Sequence, residues 1–156
     1  MRAGRVPDVT ASTTVAREPH VVWSALADPA RITAWSPESS AVSARGSTPL
    51  PVGSTFGGSN RHGIFRWTTR CTVVESAPGD AFAFDVTYLR MGVARWRYTV
   101  TPEAGGTRVE EQWTDHRGAV MKILGTLGTG VRDRRSHNER TMRATLDALT
   151  TELEAS

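Results

Sequence analysis

Only one cysteine occurs in the 156 residues, and of the 19 basic residues Lys122 alone is lysine. The single Cys71 excludes an internal disulfide. Its place in a strand-like run reads as a buried structural thiol, with a nucleophile as the alternative. No stretch of about 18 apolar residues is present to span a membrane, and the opening MRAGRVPDV lacks the apolar core of a signal peptide, so a cytoplasmic protein without integral membrane association is expected. Charge of one sign is not in excess either: the net formal charge is +3. The densest arginine cluster, Arg132 to Arg143, is diluted by Asp133 and Glu139, so a solvated helix face is expected there and nucleic-acid binding is not. His20, His62, His116 and His137 show no metal-ligand spacing. A Ser-His-Asp elbow, a phosphate-cradling glycine loop and a dinucleotide fingerprint are also missing. No metal and no cofactor is therefore expected.

What is present is a regular order of elements. Val9 to Val15 is rich in β-branched residues and alternates as a strand. Pro19 suits the first turn of a helix with Val22, Trp23 and Leu26 on its apolar side, ending near Asp28-Pro29. A second short helix over Ala30 to Trp35 stops at Ser36-Pro37. From Glu38 to His116 strand-like runs alternate with turn signals such as NRHG, SAPGD and PEAGG, which describes a meander of about six antiparallel strands. The glycine-rich segment from Gly118 to Gly130 reads as a short helix or as a mobile flap. The stretch from Gly130 to Leu153 places Val131, Met142, Leu146, Leu149 and Leu153 on one narrow arc of a long helix. The same arc carries Arg135 and Asn138 to the buried side, while Arg134, His137, Arg140 and Arg143 turn to the flank or outside. Those two polar groups either face a partly polar cavity or sit at a solvated helix start. One α+β domain over 1–156, with its core at about 9–153, accounts for the whole chain.

Strand parity separates two faces of the sheet. Phe65, Trp67, Thr69, Cys71 and Val73 share one face, as do Phe82, Phe84, Val86 and Tyr88, and likewise Trp96, Tyr98 and Val100. In the run from 107 to 116, Val109 and Trp113 take Glu111 and Asp115 inward with them. Val42 brings in Glu38, and Phe56 brings in Asn60 and His62. The opposite face is rich in arginine.

The element order resembles a known family, as do four stretches of sequence. These are Trp35-Ser36-Pro37-Glu38, Ala94-Arg95-Trp96 with Tyr98, Gly106-Thr107-Arg108-Val109 with Glu111 and Trp113, and Val131-Arg132-Asp133-Arg134 with His137-Asn138 and Met142. Together they resemble the START-related polyketide cyclase/dehydrase and lipid-transport superfamily, SRPBCC, in a branch of actinobacterial type. The resemblance covers about Val9 to Leu153. It implies a helix-grip fold, a curved antiparallel sheet wrapped around the C-terminal helix with a cavity between them. Members bind lipids, sterols, polyketides or plant hormones, and some catalyse aromatisation or cyclisation, so the fold leaves the chemistry open.

The candidate ligand contacts on the sheet are Phe65, Trp67, Phe84, Tyr88, Trp96, Tyr98 and Trp113; Trp35, Glu38, Arg135, Asn138 and Met142 complete the set. The aromatic set either lines a void for a flat hydrophobic molecule or fills an ordinary core. Glu111, among apolar neighbours, is the candidate catalytic base, with Asn138 or Arg135 holding a substrate oxygen. The competing expectation is a structural ion pair between Glu111 and Arg135. Glu38 is expected either to bond Asn138 and pin the long helix, or to touch ligand; His62, beside Gly63, to be a solvated turn residue or an acid-base group. Binding of a small hydrophobic ligand is the first expectation, a cyclase or aromatase the second. A third is a protein-interaction module using 118–130, and the protein is expected to be a monomer or homodimer.

Overall fold

The computed structural model of the protein describes residues 5–44 and 46–156; the opening residues of MRAGRVPDV, 1–4, lie outside them. The chain runs β1 (Val9–Val15), α1 (Pro19–Leu26), α2 (Pro29–Trp35), β2 (Ser39–Ala44), β3 (Thr55–His62), β4 (Phe65–Ala77), β5 (Ala81–Tyr88), β6 (Met91–Glu103), β7 (Gly106–Asp115), α3 (Ala119–Thr129) and α4 (Arg134–Ala155). The seven strands form one antiparallel sheet in the order β1-β7-β6-β5-β4-β3-β2, so the first strand lies beside the last. Register shifts in β2, β4 and at the end of β5 bend the sheet. It curls around α4, the helix-grip arrangement that the family resemblance implies.

Local chemistry explains the breaks. Pro29 cannot continue α1, and it suits the first position of α2, where Asp28 caps the helix by accepting the Ala30 N–H at 3.2 Å. The glycine-rich segment is a helix, α3, stopped by Gly130 in the left-handed conformation (φ 71°). The final helix therefore starts four residues later than its periodicity suggests: Asp133 caps α4 by accepting the Ser136 N–H at 3.1 Å.

The core lies between the concave face of the sheet and α4. Met142, Leu146, Leu149 and Leu153 of α4 are buried against Val15, Phe82, Val100 and Val109 of the sheet. Each such side chain contributes about 1.5 to 3 kcal/mol of burial. Two indoles fasten the small helices. Trp23 donates to the Ala81 carbonyl at 2.8 Å, tying α1 to β5, and Trp35 donates to Glu152, tying α2 to α4. Met121 of α3 is buried, whereas Val120, Ile123 and Leu127 face outward. No helix among the described residues is long and apolar enough to cross a membrane.

Candidate ligand cavity

The pleat of β4 to β7 turns alternate side chains into the concavity, and α4 stands too far off to fill it. A cavity of about 280 Å3 remains. Its sheet wall consists of Phe56 and Trp67 with Cys71, then Phe84, Val86 and Tyr88, then Ala94, Trp96 and Tyr98, and finally Glu111 and Trp113. Asn138, Thr141, Met142 and Thr145 of α4 form the opposite wall, and Met121 and Leu124 of α3 close one end. Burial pushes the Cys71 thiol up to about 12 despite its hydrogen bond with Thr69, so it is an inert wall group.

Glu111 is the most unusual lining residue. It sits mid-strand in β7, opposite Tyr98 of β6 on one side and Ala11 of β1 on the other. Only 2% of it is exposed. The Tyr98 hydroxyl donates to Glu111 Oε1 at 2.8 Å, and Oε2 is buried without a partner. Burial pushes the carboxyl up to about 8, against the opposing effect of the Tyr98 hydrogen bond. Burial, and secondarily Glu111 itself, also hold the Tyr98 phenol well above its ordinary value. At neutral pH both groups are therefore predominantly uncharged, and the carboxyl can act as a hydrogen-bond donor or a general acid. Arg135 makes no ion pair with Glu111; it lies on the exposed side of α4.

A second polar group of residues secures one edge. Arg134 Nη1 donates to both oxygens of Glu38, at 2.9 and 3.1 Å, and His137 Nε2 lies 2.7 Å from Glu38 Oε2. Arg134 Nη2 also donates to Thr129 at 2.9 Å, and its guanidinium lies 5.8 Å from the Trp67 ring. Burial alone raises the Glu38 carboxyl; the His137 hydrogen bond and the Arg134 charge outweigh it and hold the group below its ordinary value. Glu38 thus pins α4 as expected, but through Arg134 and His137 and not through Asn138. The exposed His62 ring packs edge-on against His137 at 4.8 Å between centroids. At the end of β7, Asp115 pairs with Arg117 through two bonds of 2.9 Å.

Of the residues singled out from sequence, Glu38, Trp67, Phe84, Tyr88, Trp96, Tyr98, Glu111, Trp113, Asn138 and Met142 come together around the cavity. Three do not line it. Trp35 is buried beneath α2 on Glu152, Phe65 packs its ring beneath Gly130, and Arg135 faces solvent. Helical phase puts Arg135 on the apolar arc. At this first turn, however, the Glu38 carboxylate on the neighbouring flank draws in Arg134 and His137, which leaves Arg135 outside. Arg134, Phe56, Met121 and Leu124 are lining residues that the sequence reading did not single out; Arg134 had a signal, four residues before Asn138 on the same helix. Among the described residues, no group of three or more His, Cys, Asp and Glu is placed to hold a metal ion.

An antiparallel sheet gripping one long helix around an aromatic cavity defines a helix-grip protein. The polyketide cyclase/dehydrase and lipid transport family matches residues 6–154, and the chain belongs to that family. Among solved structures, the Polyketide_cyc-like protein Cgl2372 of Corynebacterium glutamicum shares 23% identity at a TM-score of 0.63, covering 97% of this chain and 94% of its own. CV1439 of Chromobacterium violaceum has a TM-score of 0.70 at 13% identity, covering 94% and 96%. The di-domain ARO/CYC StfQ of the steffimycin biosynthetic pathway has a TM-score of 0.68 at 16% identity; the match covers 94% of this chain and 51% of StfQ. No curated protein matches the chain.

Proposed function

We propose that this protein binds a small hydrophobic or aromatic molecule in the cavity between the sheet and α4. The observation that carries this reading is the cavity of about 280 Å3, with an aromatic wall and a single unpartnered carboxyl oxygen, Glu111 Oε2. An apolar cavity with few convergent polar groups is the usual form of a small-molecule site. Native mass spectrometry of the purified protein, followed by solvent extraction, tests it: a co-purifying hydrophobic molecule is expected. It should be absent from a folded Ala94→Phe variant, whose ring occupies the cavity. Retention of the same molecule by that variant places it elsewhere and removes the reading.

The second reading is a cyclase or dehydratase, favoured by the raised carboxyl of Glu111 beside the Tyr98 hydroxyl. A general acid or base titrating near neutrality is suited to proton transfer at an enolisable carbonyl. The family description and the ARO/CYC designation of StfQ lend it support. With polyketide-like compounds as substrates, Glu111→Gln is expected to abolish turnover while ligand affinity persists; turnover by that variant rules out Glu111 as the acid or base.

A further inference from the structure

We infer that the Glu111–Tyr98 end of the cavity selects ligands presenting a neutral oxygen acceptor, such as a ketone or quinone carbonyl, over carboxylates and amines. The inference rests on the reading that the cavity takes a small hydrophobic molecule, and it assigns the polar chemistry of that molecule.

The geometry provides the argument. The one proton of the Tyr98 hydroxyl is committed to Glu111 Oε1, so the second oxygen is the group left for a ligand. A buried polar atom without a partner carries a penalty that a ligand group removes on binding. Which ligand group fits depends on the charge of the carboxyl. From β6 the only titratable group facing it is Tyr98; from β1 it meets Ala11, and from α4 the uncharged Asn138 and Thr145 wall. Three arginines line the cavity: Arg134 and Arg117 are bonded to Glu38 and Asp115, and Arg66 is exposed to solvent. With no cation beside it, the buried carboxyl keeps its proton, consistent with its value of about 8. A protonated carboxyl accepting at Oε1 has its O–H on Oε2, and an O–H requires an acceptor. A ligand carboxylate would be desolvated there with no positive partner, and an ammonium would need the carboxyl to ionise in an apolar wall.

Three probes of one shape separate these cases: acetylnaphthalene, naphthoate and aminomethylnaphthalene, titrated calorimetrically into the full chain at about pH 6.5 and pH 9. The ketone is expected to bind at least tenfold more tightly than either ion at the lower pH. Because apparent affinity follows the competent fraction, its affinity should fall roughly tenfold at pH 9 as the carboxyl ionises. Glu111→Gln retains an acceptor towards Tyr98 and a donor towards the ligand, so it should bind the ketone equally at both pH values. Preference for the amine or naphthoate overturns the inference while leaving the cavity reading intact, and so does a pH-independent ketone affinity in the unsubstituted protein. Failure of all three probes to bind overturns both.

Discussion

Glu38 and His137 are 99 residues apart in the chain and 2.7 Å apart in the fold. With Arg134 they join the bend just before β2 to the first turns of α4, so one carboxylate sets where the long helix enters the cavity wall. In Glu38→Gln the Arg134 guanidinium, largely buried, loses its counter-charge. The expected loss is about 1.5 to 3 kcal/mol at pH 7, read by urea denaturation. Because the folded-state carboxyl is held below its ordinary value, this stabilisation is present above that value and disappears as pH falls through the lowered one. The gap between the two proteins should therefore close in acid; a gap that widens there contradicts the assignment.

The sign is opposite for Glu111. Its carboxyl is raised from 4.5 to about 8 on folding, so between those values the folded state holds a proton that the unfolded state has lost. Stability is expected to fall as pH rises across that window and to level off above it. Glu111→Gln removes the titration, making the variant roughly 3 to 5 kcal/mol more stable relative to the parent at pH 9 than at pH 5. Parallel pH profiles in urea would show that the carboxyl is not buried in this way.

Gly130 separates α3 from α4 at φ 71°, and a Cβ there would lie 2.4 Å from the Phe65 ring. Gly130→Ala is expected to cost about 1 to 3 kcal/mol through backbone strain and displacement of the ring. Combining it with Phe65→Ala should recover part of that cost in thermal melts, since one of the two penalties is removed. Additive losses would leave the steric account without support.

The β5–β6 turn carries non-glycine residues in the left-handed region, Leu89 at φ 50° and Arg90 at φ 65°. Such a two-residue hairpin turn favours Asn-Gly. Arg90→Gly relieves strain at an exposed position and is expected to raise stability by about 0.5 to 1 kcal/mol, measured by thermal unfolding. A destabilised variant would show that the arginine side chain does more than fill the turn.

Much of the cavity was legible because a strand's side chains alternate strictly. Once Trp113 is assigned inward, Glu111 must follow, and Tyr98 opposite it shares the same face. What alternation could not supply was phase at element ends. Phe65, at the first residue of β4, has the right parity but lies past the cavity, where Gly130 leaves room for its ring. Arg135 has the right helical phase, yet its first-turn position is governed by the joint hold of Arg134 and His137 on the Glu38 carboxylate, which a periodic pattern does not encode. The ion pair anticipated between Glu111 and Arg135 failed for the same reason, and the carboxyl took a phenol as partner instead.

The pairing of β1 with β7 has a bearing on the birth of the protein. Val9 pairs with Trp113, so the first strand must wait for about two thirds of the chain before its partner exists. Contacts so distant in sequence close slowly, because loop-closure entropy is lost before they reward it. On the ribosome, the nascent chain has α1, α2 and the β2–β6 meander available well before the β7 and α4 that complete the enclosure. The enclosure between sheet and helix can therefore close only once β7 and α4 have been made, which puts the β1–β7 pairing among the last contacts to form.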